Sequence, residues 1–156
     1  MAPVDQPLPP LPHWLAWCDG SACPNPGRIG LGAVLQAPDG QRFELSRTTP
    51  DRGCNNEAEA RALLATLEFA ASLGARQIVI HSDSDNVVRL ACDAHATEAR
   101  HLAPLFAEVR NRLAAFEKYE IKWLPQHRNV AADELARRAL GLPARAAPKP
   151  RKRRRG

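Results

Sequence analysis

The hydrophobic period of this chain switches near Asn56, and that switch limits the possible folds more than any other feature. Upstream, residues 14–18 form a short apolar run that stops at Asp19-Gly20. Residues 29–37 are strand-like but interrupted by Gly30 and Gly32, and Pro38-Asp39-Gly40 marks a tight hairpin. Residues 41–48 then alternate Phe43 and Leu45 with polar neighbours, so three antiparallel strands are expected. Downstream, Ala60, Leu63, Leu64, Leu67 and Ala71 recur at helical spacing over residues 56–73, with Gly74 as a stop. Residues 77–81 predict a buried strand, 86–95 a helix and 102–116 a longer helix striped by Leu105, Val109 and Leu113. Residues 119–124 predict the last strand and 130–140 the last helix. The order β-β-β-α-β-α-α-β-α implies an α/β layer fold with a mixed sheet.

Length and charge place this fold within the chain. A total of 156 residues suits one domain with tails, large enough to bury a core without disulfides. Residues 1–13 carry five prolines and read as an extended, disordered leader, leaving residues 14–142 as the domain. Residues 143–156 mix Pro, Ala and Arg and read as a disordered basic tail. Residues 141–156 hold seven Lys/Arg and no acid; removing them from the formal +5 leaves −2 on residues 1–140. The basic character therefore belongs to the tail.

Several classes are disfavoured. No run of about 18 apolar residues occurs, so no membrane span is expected, and no secretory signal is recognisable. Cys18, Cys23, Cys54 and Cys92 form no C-x-x-C pair, so a zinc site is poorly supported; reduced thiols and a cytoplasmic location are expected, with Cys18 and Cys92 in the core. Trp14, Trp17 and Trp123 are expected in the core or on a sheet face, not as stacking platforms for single strands.

Four acids fall at the ends of predicted elements: Asp19 just after the first strand, Asp83 just after the fourth, and Glu59 and Asp133 in the first turns of helices. Each alone has an ordinary reading, as a turn residue, an N-cap or a first-turn acid favoured by the helix dipole. Strand ends and helix N-termini border the ligand crevice of α/β sheets, however. Four acids meeting there would make an oxygen-rich pocket of about −4 charge, suited to Mg²⁺ or Mn²⁺.

The segments around these acids resemble type 1 ribonuclease H, the family that cuts the RNA strand of RNA–DNA hybrids. The matching motifs are Asp19-Gly-Ser with Asn25-Pro-Gly27, Asn55-Asn-Glu-Ala-Glu59, Ser82-Asp-Ser84 and Ala132-Asp-Glu-Leu-Ala136, in order along residues 14–140. The resemblance implies a ribonuclease H-like fold, a five-stranded mixed sheet (three antiparallel strands, then parallel βα units) flanked by helices. It implies Asp19, Glu59, Asp83 and Asp133 as catalytic carboxylates holding two Mg²⁺ ions, with Mn²⁺ as a substitute. Two cations about 4 Å apart can activate water and clamp the scissile phosphate, and the products would carry 5′-phosphate and 3′-hydroxyl ends. Glu57 points about 200° from Glu59 around the helix, so it is expected to be a solvated or secondary contact, and Asp85 to be peripheral.

Carried over in the same way, Asn25, Asn55 and Asn56, with Gly20 and Ser21 of the first motif, are substrate contacts that would sense the 2′-hydroxyl. Asn25 and Asn55 can also serve turn and cap geometry. Arg52 matches a position that grips the DNA-strand phosphate, while Cys54 replaces a threonine there. His127 stands only six residues before Asp133, a short loop resembling a subgroup in which the family's mobile histidine is absent, so it reads as an auxiliary residue or a bystander. Asn129 can cap the last helix or position the attacking water. The basic protrusion that some bacterial members insert is missing: residues 87–102 offer only Arg89 and Arg100 as fixed cations, and the tail is expected to attract phosphates instead. A monomer acting on RNA–DNA hybrids is the expectation. The rivals are a nuclease of the same superfold with another substrate, such as duplex RNA or RNA–DNA junctions, and a non-catalytic hybrid-binding module.

Overall fold

The computed structural model describes residues 13–93 and 100–145. Nearly all of the proposed leader, most of the basic tail and the end of the helix expected to reach His95 lie outside the described residues. Five strands and four α-helices follow in the expected order: β1 (Trp14–Cys23), β2 (Gly27–Gln36), β3 (Arg42–Gly53), α1 (Asn55–Ser72), β4 (Gln77–Ser82), α2 (Asp85–Cys92), α3 (Ala103–Ala114), β5 (Lys118–Trp123) and α4 (Val130–Ala139). One sheet contains all five strands, ordered β3-β2-β1-β4-β5. The β1–β2 and β2–β3 pairs are antiparallel, whereas β1–β4 and β4–β5 are parallel.

Two layers of helix cover the sheet. On one face Ala16, Cys18, Ala33, Leu35, Ile78, Ile80 and Ile121 meet Leu63 and Leu67 of α1, Val87 and Leu90 of α2, and Phe106, Val109 and Leu113 of α3. On the other face α4 lies across β2, and its closeness explains the two glycines that interrupt that strand. A methyl at Gly30 would strike the Ala136 carbonyl, and one at Gly32 would strike the Ala132 carbonyl. Gly30 and Gly32 therefore seat the helix that carries Asp133.

Three strand boundaries differ from expectation. β1 does not end at Cys18; it runs to Cys23 because β2 continues to pair with it as far as Cys23↔Arg28. β2 begins at Gly27, and β3 extends to Gly53. A strand is held by its neighbour's backbone groups, so polar side chains do not end it while a partner continues. Cys18 is buried, but Cys92 is exposed at the end of α2, contrary to its expected place in the core. Trp123 is also outside the core, at 55% exposure, where its indole Nε1 donates to the Asp83 carbonyl (3.1 Å). Among the described residues no helix is long and apolar enough to cross a membrane.

Candidate active site

The site forms where β1 outruns β4. Their parallel pairing ends at Cys18↔Ser82, while β1 continues beside β2 alone. Asp19 is the first β1 residue past that pairing, within the strand and not in a loop, opposite Gly32. Its Oδ1 accepts from the Gly20 N–H (3.1 Å). Asp83 directly follows β4, as expected. Glu59 is the fifth residue of α1, one residue deeper than predicted and just past the first turn, because that helix starts at Asn55 with Glu57 as its first-turn acid. Gly20 lets α1 approach: a methyl there would collide with the Ala58 carbonyl. Asp133 lies in the first turn of α4.

Asp19, Glu59 and Asp83 each present an oxygen such that all three lie within 4.8 Å of one another. They line a cavity of about 280 Å³ with Ser21, Asn55, Gln126, Arg137 and Arg145. Burial, then the Asp83 and Glu59 charges, push the Asp19 carboxyl up to about 9. Asp133 stands close enough to Asp19 to share a hydrogen bond and raises it further. Glu59 is pushed up to about 7, chiefly by burial and partly relieved by a hydrogen bond with Ser84. Burial also raises Asp83, against which the Asn129 hydrogen bond and the Arg145 charge act. Carboxylates placed so that they resist ionising beside one another are a fit for a hard divalent cation, whose charge would reverse that penalty. The all-oxygen donor set suits Mg²⁺ or Mn²⁺ chemistry.

Asn129 ties the acids together. It is 1% exposed, and its Nδ2 donates to the Cys18 carbonyl (2.9 Å) and to Asp83 Oδ2 (3.2 Å). Its backbone carbonyl accepts the Asp133 N–H (3.1 Å). It thus links β1, the end of β4 and α4 at the acids, while its own Oδ1 has no partner among the described residues. Its side chain makes no cap to α4.

The other predicted contacts are distributed around the rim. Asn55 Oδ1 accepts the Ala22 N–H (3.0 Å), and Asn25 Oδ1 accepts the Asn55 N–H (3.1 Å), so both carbonyl ends fix the start of α1 to β1. Asn56 is exposed on the next position of α1, and Arg52 is exposed near the end of β3, beside the α1 N-cap Cys54. Glu57 is an ion-pair partner of Arg61 (3.0 Å), in keeping with a secondary contact. His127 is exposed on the single turn Gln126–Arg128, and that turn lines the acid cavity with Gln126 instead. Sequence reasoning missed Ser84, Trp123, Arg137 and Arg145 here. The serine stands inside the Ser82-Asp-Ser84 motif, so that signal was available; the arginines carried none beyond their charge.

A β3-β2-β1-β4-β5 sheet with carboxylates gathered beyond the end of β4 defines a ribonuclease H-like fold with an acidic crevice. A family model described as reverse transcriptase-like matches residues 18–139. Ribonuclease HI of Halobacterium salinarum is 35% identical over 125 residues, covering 80% of this chain and 63% of that protein. The crystal structure of RNase H1 from Halobacterium salinarum has a TM-score of 0.78 at 35% identity, covering 83% of this chain and 98% of that one. A bifunctional protein of Mycobacterium tuberculosis is 32% identical over 130 residues, covering 83% of this chain, which spans only 36% of that relative's length. The crystal structure of LC11-RNase H1 in complex with RNA/DNA hybrid has a TM-score of 0.74 at 25% identity, covering 82% of this chain and 96% of that one. The chain belongs to the type 1 ribonuclease H family.

Proposed function

We propose that this protein is a divalent-metal-dependent endoribonuclease that hydrolyses the RNA strand of RNA–DNA hybrids, leaving 5′-phosphate and 3′-hydroxyl ends. The observation that carries the proposal is the gathering of Asp19, Glu59 and Asp83 within 4.8 Å, with Asp133 adjoining, in a chain of this family. The hybrid bound in the LC11-RNase H1 structure supports the substrate class.

Asp19, Glu59, Asp83 and Asp133 would hold the cations, two Mg²⁺ ions in our reading, with Mn²⁺ able to replace them. When bound, such ions would activate water and neutralise charge at the scissile phosphate and the leaving 3′ oxygen. This chain's own residues keep the acids in place. Asn129 orients Asp83 through Nδ2 and anchors α4 through its carbonyl, so it is a positioning residue. Ser84 holds Glu59, and the Trp123 indole fixes the Asp83 backbone. Asp19, Glu59 and Asp133 stand on β1, α1 and α4, and Asp83 directly follows β4, so the acids sit on or beside rigid elements, as such a site requires. Asn25, Asn55 and Asn56 would meet the 2′-hydroxyl on the side of the crevice where α1 begins, their amide nitrogens serving as donors. Gly20 and Ser21 border the same opening, and Arg52 would pair with a DNA-strand phosphate. The basic residues beyond Arg145 would add salt-sensitive attraction to phosphates. His127 has no role in this scheme.

The test is gel-resolved cleavage of one end-labelled RNA strand paired with DNA or with RNA, across Mg²⁺ and Mn²⁺ concentrations, with Asp83→Asn alongside. Metal-dependent cutting of the hybrid alone, lost in the variant, is the expected result. Cutting of duplex RNA as well would require a broader nuclease. Hybrid binding without cutting would replace the enzyme with a binding module.

A further inference from the structure

The C-terminus of α4 turns back on itself. Gly141 takes φ +72°, a left-handed conformation suited to glycine at a helix end. The Gly141 N–H donates to the Arg138 carbonyl (3.0 Å) and the Leu142 N–H to the Arg137 carbonyl (2.9 Å), the paired bonds of a Schellman turn. Arg137 then fastens the returning segment by donating from Nε to the Pro143 carbonyl (2.8 Å). The reversal delivers Arg145 to the acids: its Nε lies 3.2 Å from Asp133 Oδ1 and 3.0 Å from Oδ2. Asp133 is only 4% exposed, and Arg145 and Arg137 line the acid cavity in its stead. Arg145 is half exposed, so one side of the ion pair is open to water.

We infer that Arg145 is a built-in counter-ion of the active site, holding Asp133 in the metal-free protein and giving it up when a divalent cation binds. The inference rests on the metal-site reading above. One guanidinium nitrogen shared by both oxygens of Asp133 occupies the lone pairs a cation would need. Two cationic centres on one carboxylate would also repel. A half-exposed ion pair is weak and screened by salt, which suits a contact that breaks whenever the site is loaded. The segment 142–145 is therefore a strap whose position reports cation occupancy, and Arg137 is the clasp that returns it.

The test is calorimetric titration of Mg²⁺ into the metal-free full-length chain, without nucleic acid, for the wild type and Arg145→Ala. Removing an internal competitor worth one half-exposed ion pair should tighten cation binding by about 2- to 5-fold. A variant harmed only structurally would bind more weakly. Equal or weaker affinity in Arg145→Ala overturns the inference while leaving the metal site intact. Cation binding by neither protein overturns both. Trypsin reads the strap independently, because it must engage the Arg145 guanidinium to cut after it. Mg²⁺ should speed cleavage at Arg145 relative to Arg151, and an unchanged ratio would also contradict the release.

Discussion

The two halves of β1 have the same partner on one side and opposite fates on the other. Residues 15–18 lie between β2 and β4, with Ala16 and Cys18 packed in the apolar core. Residues 19–23 keep β2 but have passed the end of β4, and there the strand carries Asp19 beside Glu59 and Asp83. The contrast shows how one strand serves as both wall and working edge. Losing one neighbour opens a crevice, and the continued pairing with β2 keeps that crevice rigid. The inner half stabilises the fold by burying apolar surface; the outer half opposes it by gathering acids away from water.

The largest way to break this contrast is Gly20→Ala. Its methyl would push α1 from β1 at the point that sets Glu59. It should cost about 3–5 kcal/mol of stability and at least about 100-fold in hybrid cleavage. Chemical denaturation and cleavage assays would check both, and near-wild-type values would show that the close approach is unimportant. Leu63→Ala, in α1 over the inner half, should cost about 2–4 kcal/mol but leave cleavage per folded molecule within about 2-fold. A selective loss of activity there would mean that the two halves are not separable.

A smaller effect concerns pH in the absence of metal. Asp19 is raised to about 9 and Glu59 to about 7, and Asp83 is also raised, whereas unfolded carboxyls titrate near 4. The folded state therefore holds more protons across this interval, so its stability falls as pH climbs from about 4 through about 9. We expect a loss of about 1–3 kcal/mol over that range, flattened by saturating Mg²⁺. Urea midpoints at several pH values would show it; a midpoint that rises with pH would contradict the raised carboxyls.

Much of this arrangement was legible in the sequence because it is carried by local periodicity and by short motifs. The switch to helical spacing near Asn56 and the compact 77–81 run gave the element order, and the motifs around Asp19, Glu59, Asp83 and Asp133 located the acids. What was not legible depends on partners distant in sequence. β1 continues through Asp19-Gly20-Ser21 because β2 lies beside it, although its apolar run stops at Cys18. Gly30 and Gly32 resemble interruptions until α4 is laid over them. Arg145 counted only as a tail charge, since nothing local to it shows that Gly141 reverses the chain onto Asp133. Asn129 was singled out, but as a cap or a holder of water, whereas its amide bridges Cys18 and Asp83.

The most direct measurement is the thermal unfolding midpoint of Asp19→Asn beside the wild type, each with and without Mg²⁺ at pH 8. If the outer half of β1 is a cation site that strains the empty fold, removing its most strongly raised acid should lift the metal-free midpoint by about 3–8 °C. Mg²⁺ should then stabilise the wild type and have little effect on the variant. A variant no more stable than the wild type, with the same response to Mg²⁺, would contradict the account.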